Sequence, residues 1–130
     1  MKRLVLALAM ASLLSTSAFA IDFTRPLTSL DGKPIAGNDG KPLETQPTLG
    51  SICESALLAQ YAEERDPQTG KELISPEDKF ARWKLAVKIS GGKDVNLTTE
   101  ELSLVKKLIG KGYSPLIVGQ VWTLLDPGMK

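Results

Sequence analysis

After residue 20, apolar residues recur at helical spacing in four stretches, behind a segment whose few apolar residues show no period. Ile52, Ala56, Leu57 and Ala59 share one helix face. Ser51-Ile52-Cys53-Glu54 fits a capping box, with Thr48 as a competing cap. The spacing predicts a helix from near Ser51 to about Glu64, broken by Asp66-Pro67-Gln68-Thr69-Gly70. Ser75-Pro76-Glu77-Asp78 starts the second helix with a cap, a proline and first-turn acids. Phe80, Trp83 and Val87 form one apolar stripe, and Leu85 and Ile89 fall on another side. A helix apolar on two sides is expected at the centre of a bundle, and Gly91-Gly92 ends it.

The third helix has the clearest local signature. Thr98 and Glu101 form a capping box, and Leu97 and Leu102 a hydrophobic staple. Leu102, Val105, Leu108 and Ile109 make its core face, and Lys106, Lys107 and Lys111 sit late, where the helix dipole favours cations. Gly110 and Gly112 are expected to stop it. Ser114-Pro115 then opens Leu116 to Leu125. Its Val and Ile content allows a strand, but the Ser-Pro start and the spacing of Leu116, Gln120 and Leu124 favour a helix. Gly119 is expected to allow a close helix contact.

Residues 21–47 are rich in Pro, Gly and Asp. Asp31-Gly32-Lys33-Pro34-Ile35 recurs eight residues later as Asp39-Gly40-Lys41-Pro42-Leu43. Asp-Gly favours a turn, and each Lys-Pro an extended chain. An irregular β-hairpin or pair of turns carrying Ile35 and Leu43 onto the core is expected; the alternative is a solvated arm. Asp94 to Leu97 is a candidate short strand pairing with it. The fold class is therefore α+β, mostly α: a hairpin or extended arm (21–47) on a helical domain of about four helices (48–126), with a frayed end (127–130).

The N-terminus has the layout of a secretory signal peptide over residues 1–20. Met1-Lys2-Arg3 is basic, Leu4 to Leu14 is apolar, and Ala18-Phe19-Ala20 is an A-x-A cleavage signal, placing the cut between Ala20 and Ile21. The apolar run is 11 residues, short of the roughly 20 that span a bilayer as a helix. An uncleaved anchoring start is the alternative. Cleavage would leave 110 residues and no stable membrane anchor, in the periplasm or outside the cell. Ile21 offers no cysteine for a lipid.

Composition then removes chemistries. The chain has no histidine, which excludes Ser-His-Asp and Cys-His catalysis and most zinc and copper sites. Cys53 is the single cysteine, so no internal disulfide forms. It is read as a structural thiol or, in an oxidising compartment, an intermolecular one. Without Lys2 and Arg3 the charge is −1, from 14 basic and 15 acidic residues. That balance argues against nucleic acid as a partner. Calcium-loop registers around Gly37, Gly40 and Asp94 all misplace ligands. The adjacent carboxylates Glu63-Glu64, Glu77-Asp78 and Glu100-Glu101 do not face each other on a helix. No cofactor, metal or catalytic residue is expected. Trp83, Tyr113 and Trp122 are the candidate partner contacts, to be judged by their burial.

Asn96 to Leu125, the turn Leu30-Asp31-Gly32-Lys33-Pro34 and the helix pattern Cys53 to Leu58 together resemble a set of small uncharacterised phage and prophage proteins. The resemblance covers most of residues 22–125 and rests on packing and turn patterns. It implies no activity and no site residues. Members of the set lack an export signal, which this chain adds. The expectation is an exported, non-enzymatic module that binds an unknown protein partner. The alternatives are a cytosolic phage-type accessory or assembly factor and, third, an exported hydrolase using paired carboxylates. The oligomeric state stays open.

Overall fold

The computed structural model describes residues 20–126. The basic and apolar parts of the signal layout and the 127–130 end lie outside them. Four α-helices carry the fold among the described residues: α1 (Leu49–Leu58), α2 (Pro76–Ile89), α3 (Thr99–Gly112) and α4 (Pro115–Leu125). A 3-10 turn, Ala62–Glu64, lies between α1 and α2. The mostly helical expectation holds. Among the described residues no β-ladder forms, so the hairpin half of the α+β expectation is corrected to an arm of turns and isolated bridges.

The start of α1 explains how arm and helices interlock. The first four N–H groups of a helix have no partner within it. Here Leu49 N donates to Arg25 O (2.8 Å), Gly50 N to Phe23 O (2.7 Å) and Ile52 N to Thr48 O (3.1 Å). Ser51 N donates to Thr48 Oγ1 at 3.1 Å, and Thr48 N to Ser51 Oγ at 2.9 Å. Thr48, not Ser51, is therefore the cap, with Ser51 as its reciprocal partner. The helix also stops at Leu58, short of Glu64, because Ala59 turns extended.

α1 packs against both α2 and α3, and α4 packs against α3. The central helix is α1, which buries Leu49, Cys53, Ala56 and Leu57. That corrects the expectation for α2. Its core face is Arg82, Leu85, Ala86 and Ile89, and the Phe80, Trp83 and Val87 stripe points to solvent. Ser75 caps α2 as expected, and Gly91 (φ 65°) follows its end.

Thr98 and Glu101 form the expected capping box of α3, and Val105, Leu108 and Ile109 are fully buried. The helix runs through Gly110 and ends at Gly112, so only the second of the two glycines expected to stop it does so. A Cβ on Gly110 would sit 3.4 Å from Trp122 Cζ2, so this glycine, not Gly119, marks the close approach of α3 and α4. Gly119 is exposed with open space around its Cα.

The arm is ordered without strands. Asp31 Oδ1 accepts from Lys33 N and Asp39 Oδ1 from Lys41 N, each at 3.0 Å. Gly32 (φ 83°) and Gly40 (φ 79°) take the left-handed conformation beside them. The sequence repeat is thus a repeated turn. Two glutamines then supply bonds that a neighbouring strand would supply. Gln46 accepts from Ile35 N (2.8 Å) and donates to Ile35 O (2.9 Å). Gln120 of α4 does the same for Thr28 N (2.9 Å) and Thr28 O (2.6 Å). Ile35 packs on the core, whereas Leu43 stays outside it. Ile21 and Val95 exchange two backbone bonds, so the expected pairing near Asp94 exists as one antiparallel bridge. Phe23, Leu27 and Ile21 are buried under the helices.

Two glycines should respond oppositely to alanine. A Cβ on Gly50 would lie 2.8 Å from Phe23 O, a backbone atom that cannot swing away. Gly50→Ala should cost about 1–3 kcal/mol by overpacking. Gly119→Ala should add about 0.5–1 kcal/mol through helix propensity. Urea midpoints check both; shifts of the same sign would contradict the packing described.

Candidate functional site

The chain between α1 and α2 folds back on itself and shapes a cleft. After the 3-10 turn, Asp66 to Lys71 forms a tight turn in which Gly70 N donates to Asp66 O at 2.7 Å, with Gly70 at φ 72°. Leu73 N donates to Glu64 O at 2.8 Å, which fixes the returning strand of chain beside the outgoing one. The cleft, about 190 Å³, lies between this loop, the end of α1 and the first turns of α2. Leu57, Leu58 and Ile74 supply its apolar wall.

Its polar wall is a charge network. Arg82 Nη1 and Nη2 donate to the two oxygens of Glu64 at 2.9 and 2.7 Å. Both side chains are nearly buried, 9% and 12% exposed. Lys111 of α3 adds a third bond to Glu64 at 3.3 Å, and its ammonium lies 5.3 Å over the Tyr61 ring. The Tyr61 hydroxyl donates to Ala56 O at 2.6 Å. The Glu64 carboxylate thereby ties the loop to α2 and α3 at once. Its hydrogen bonds from Arg82 hold its pKa below the ordinary carboxylate value. At the cleft's outer edge, Glu72 pairs with Lys79 and, at 3.2 Å, with Arg65. The bond from Lys79 likewise lowers its pKa.

Two carboxylates therefore reach one cleft, but the environment drives both toward the ionised form. Acid–base hydrolysis by a carboxyl pair needs one member with a raised pKa. Glu64 and Glu72 lack that division of roles. Sequence reading missed this network. One signal for it was present: Arg82 lies three, four and seven residues before Leu85, Ala86 and Ile89, on the buried face.

The three aromatic candidates separate. Trp122 is half-buried; its Nε1 donates to Lys106 O at 3.1 Å, and the Lys106 ammonium lies 5.1 Å over its ring. Tyr113 also packs on the core. Both are partly buried and pack against the core. Trp83 alone is open, at 53% exposure, with Phe80 at 58% and Val87 at 56% beside it. The Phe80 and Trp83 rings stack, 5.8 Å apart at 15°.

Cys53 has no exposed surface, and burial pushes its thiol up to about 12. The intermolecular thiol is thus corrected to a core residue: a protonated, covered sulfur neither attacks nor meets a partner. The residues flanking the expected cut also separate. Ala20 is exposed, and Ile21 is buried. No helix among the described residues is long and apolar enough to cross a membrane. The chain matches no protein-family model, and no curated protein or solved structure is similar to it.

The Glu64–Arg82 pair sets a pH dependence. A carboxylate with a lowered folded pKa stabilises the fold above its ordinary pKa of about 4.3. That contribution is lost as pH falls through the lowered value. Glu64→Gln should therefore flatten the fall in melting temperature between about pH 6 and about pH 3. At neutral pH it should destabilise by about 2 kcal/mol, below the cost of breaking a fully buried pair because one side opens to the cleft. Parallel melting curves for variant and wild type would contradict this role.

Proposed function

We propose that this is an exported protein of phage or mobile-element origin that works by binding another protein chain, without catalysing a reaction. The observation that carries the reading is the stripe of Phe80, Trp83 and Val87 on the outer face of α2. Each is more than half exposed on a helix whose opposite face is core. Contiguous exposed apolar surface is costly in water and marks interaction sites. Stacked aromatics are also the side chains that most often dominate a protein interface.

Export is supported by the A-x-A signal and by the burial of the residue that follows it. Ile21, the first residue past that signal, is 5% exposed and bonded to Val95 in both directions. A mature chain beginning there keeps every core residue among those described. The buried Cys53 suits an oxidising compartment, since it offers no thiol for wrong pairing.

The resemblance to phage proteins favours a second reading, a cytosolic accessory or assembly factor. Cell fractionation with N-terminal sequencing separates the two. The exported reading expects a periplasmic or secreted chain starting at Ile21, and accumulation of precursor when Ala18→Lys spoils the A-x-A signal. An intact Met1 in the cytosol would overturn it.

A further inference from the structure

We propose that the partner seated on the α2 stripe is a second copy of this chain, with the two α2 helices antiparallel across a two-fold axis. The proposal rests on the reading of the protein as an interaction module and names the occupant of that face. Phe80, Trp83 and Val87 follow one another at spacings of three and four residues, the spacing of a helix–helix seam. A seam of this kind is closed by the charges on its two flanks. Here Glu77 and Lys84 lie on one flank and Lys79 on the other, at roughly 100 degrees per residue.

The pairing state of these charges points to a second copy. On the same helix, Arg82 is bonded to Glu64, Lys88 to Glu101 at 2.8 Å and Lys79 to Glu72. Glu77 and Lys84 form no ion pair among the described residues. The Lys84 ammonium instead lies 5.4 Å over the Phe80 ring, at the seam itself. An antiparallel copy, with the axis between Phe80 and Trp83, sets each Phe80 against the partner's Trp83. It sets each Glu77 beside the partner's Lys84, so the same complementary pair forms twice. Lys79 then faces the partner's Ala86, with no like charge opposed. A parallel copy would set Lys79 beside the partner's Lys84, a repulsion repeated twice. The surface is thus self-complementary in one orientation only.

The seam is three side chains long, so it falls at the low end of specific interfaces, below about 1,200 Å² in total. The dimer should be weak and concentration-dependent. Sedimentation equilibrium of the mature chain, from low micromolar to near-millimolar concentration, tests it. The expected result is a reversible monomer–dimer equilibrium. Lys84→Glu and Glu77→Lys should each weaken it about tenfold. The double variant Glu77→Lys/Lys84→Glu should restore it. Trp83→Ala should abolish it with the helical circular dichroism unchanged, because that side chain is not in the core. A monomer at every concentration overturns the proposal, as does a dimer indifferent to Trp83→Ala or a double variant that fails to recover. A photo-crosslinker at position 83 separates this failure from that of the interaction reading. Crosslinks from a monomer to a different protein would overturn the second copy alone. A monomer inert at that position would overturn both.

Discussion

The fold depends on how the first turn of α1 is satisfied. A helix start buried in a core must find partners for its free N–H groups or lose the stability that burial supplies. Two of these donors go to Thr48, and the other two reach back across the sequence to Phe23 and Arg25. The arm therefore does not rest on a finished bundle. It completes the central helix, and α1 in turn contacts both α2 and α3. Gly50 is the point at which this becomes possible, since any side chain there would meet the Phe23 carbonyl. The same short stretch of arm buries Ile21, Phe23 and Leu27. Hydrogen-bond satisfaction and core formation are one event here.

That coupling also accounts for an arm ordered without strands. Pro34 and Pro42 remove ladder donors from the two repeats, so a regular hairpin has too few bonds to form. The backbone groups still need partners where they approach the core. Gln46 and Gln120 meet that need with side-chain amides, which carry the donor and acceptor of a peptide group. Gln120 does so from α4, so the last helix also holds the arm.

Local chemistry was legible in the sequence, and long-range partnership was not. The caps at Ser75 and Thr98, the Asp-Gly turns and the core face of α3 depend on residues within one turn of each other, and all could be read. The start of α1 was ambiguous because its first two donors, Leu49 N and Gly50 N, go to Arg25 and Phe23, more than twenty residues away. Gly110 and Gly119 look alike in sequence, and only the position of Trp122 tells them apart. The charge network failed to show for the same reason. Glu64, Arg82 and Lys111 come from three separate segments, and only Arg82, by its spacing from Leu85, Ala86 and Ile89, carried a local signal of burial. The candidate interface was half legible: the stripe was visible as apolar spacing, but its exposure follows from which face of α2 the bundle takes.

Area alone does not select that face. Phe80, Trp83 and Val87 would remove more apolar surface from water than Leu85, Ala86 and Ile89, so hydrophobic burial by itself favours turning α2 the other way. Turning it would carry Arg82 to solvent and leave Glu64 beside Lys111 without its bidentate partner. The charge pair thus supplies orientation where hydrophobicity is ambiguous, a role for which buried ion pairs are better suited than for net stability. It also explains why the aromatic stripe can remain outside. A helix held in rotation by Glu64 is free to present its larger apolar face, and the two charges beside that face, to another chain. The Glu64 pair is then a structural condition of the proposed interface: it lies off the exposed stripe, yet it fixes which side chains that stripe presents.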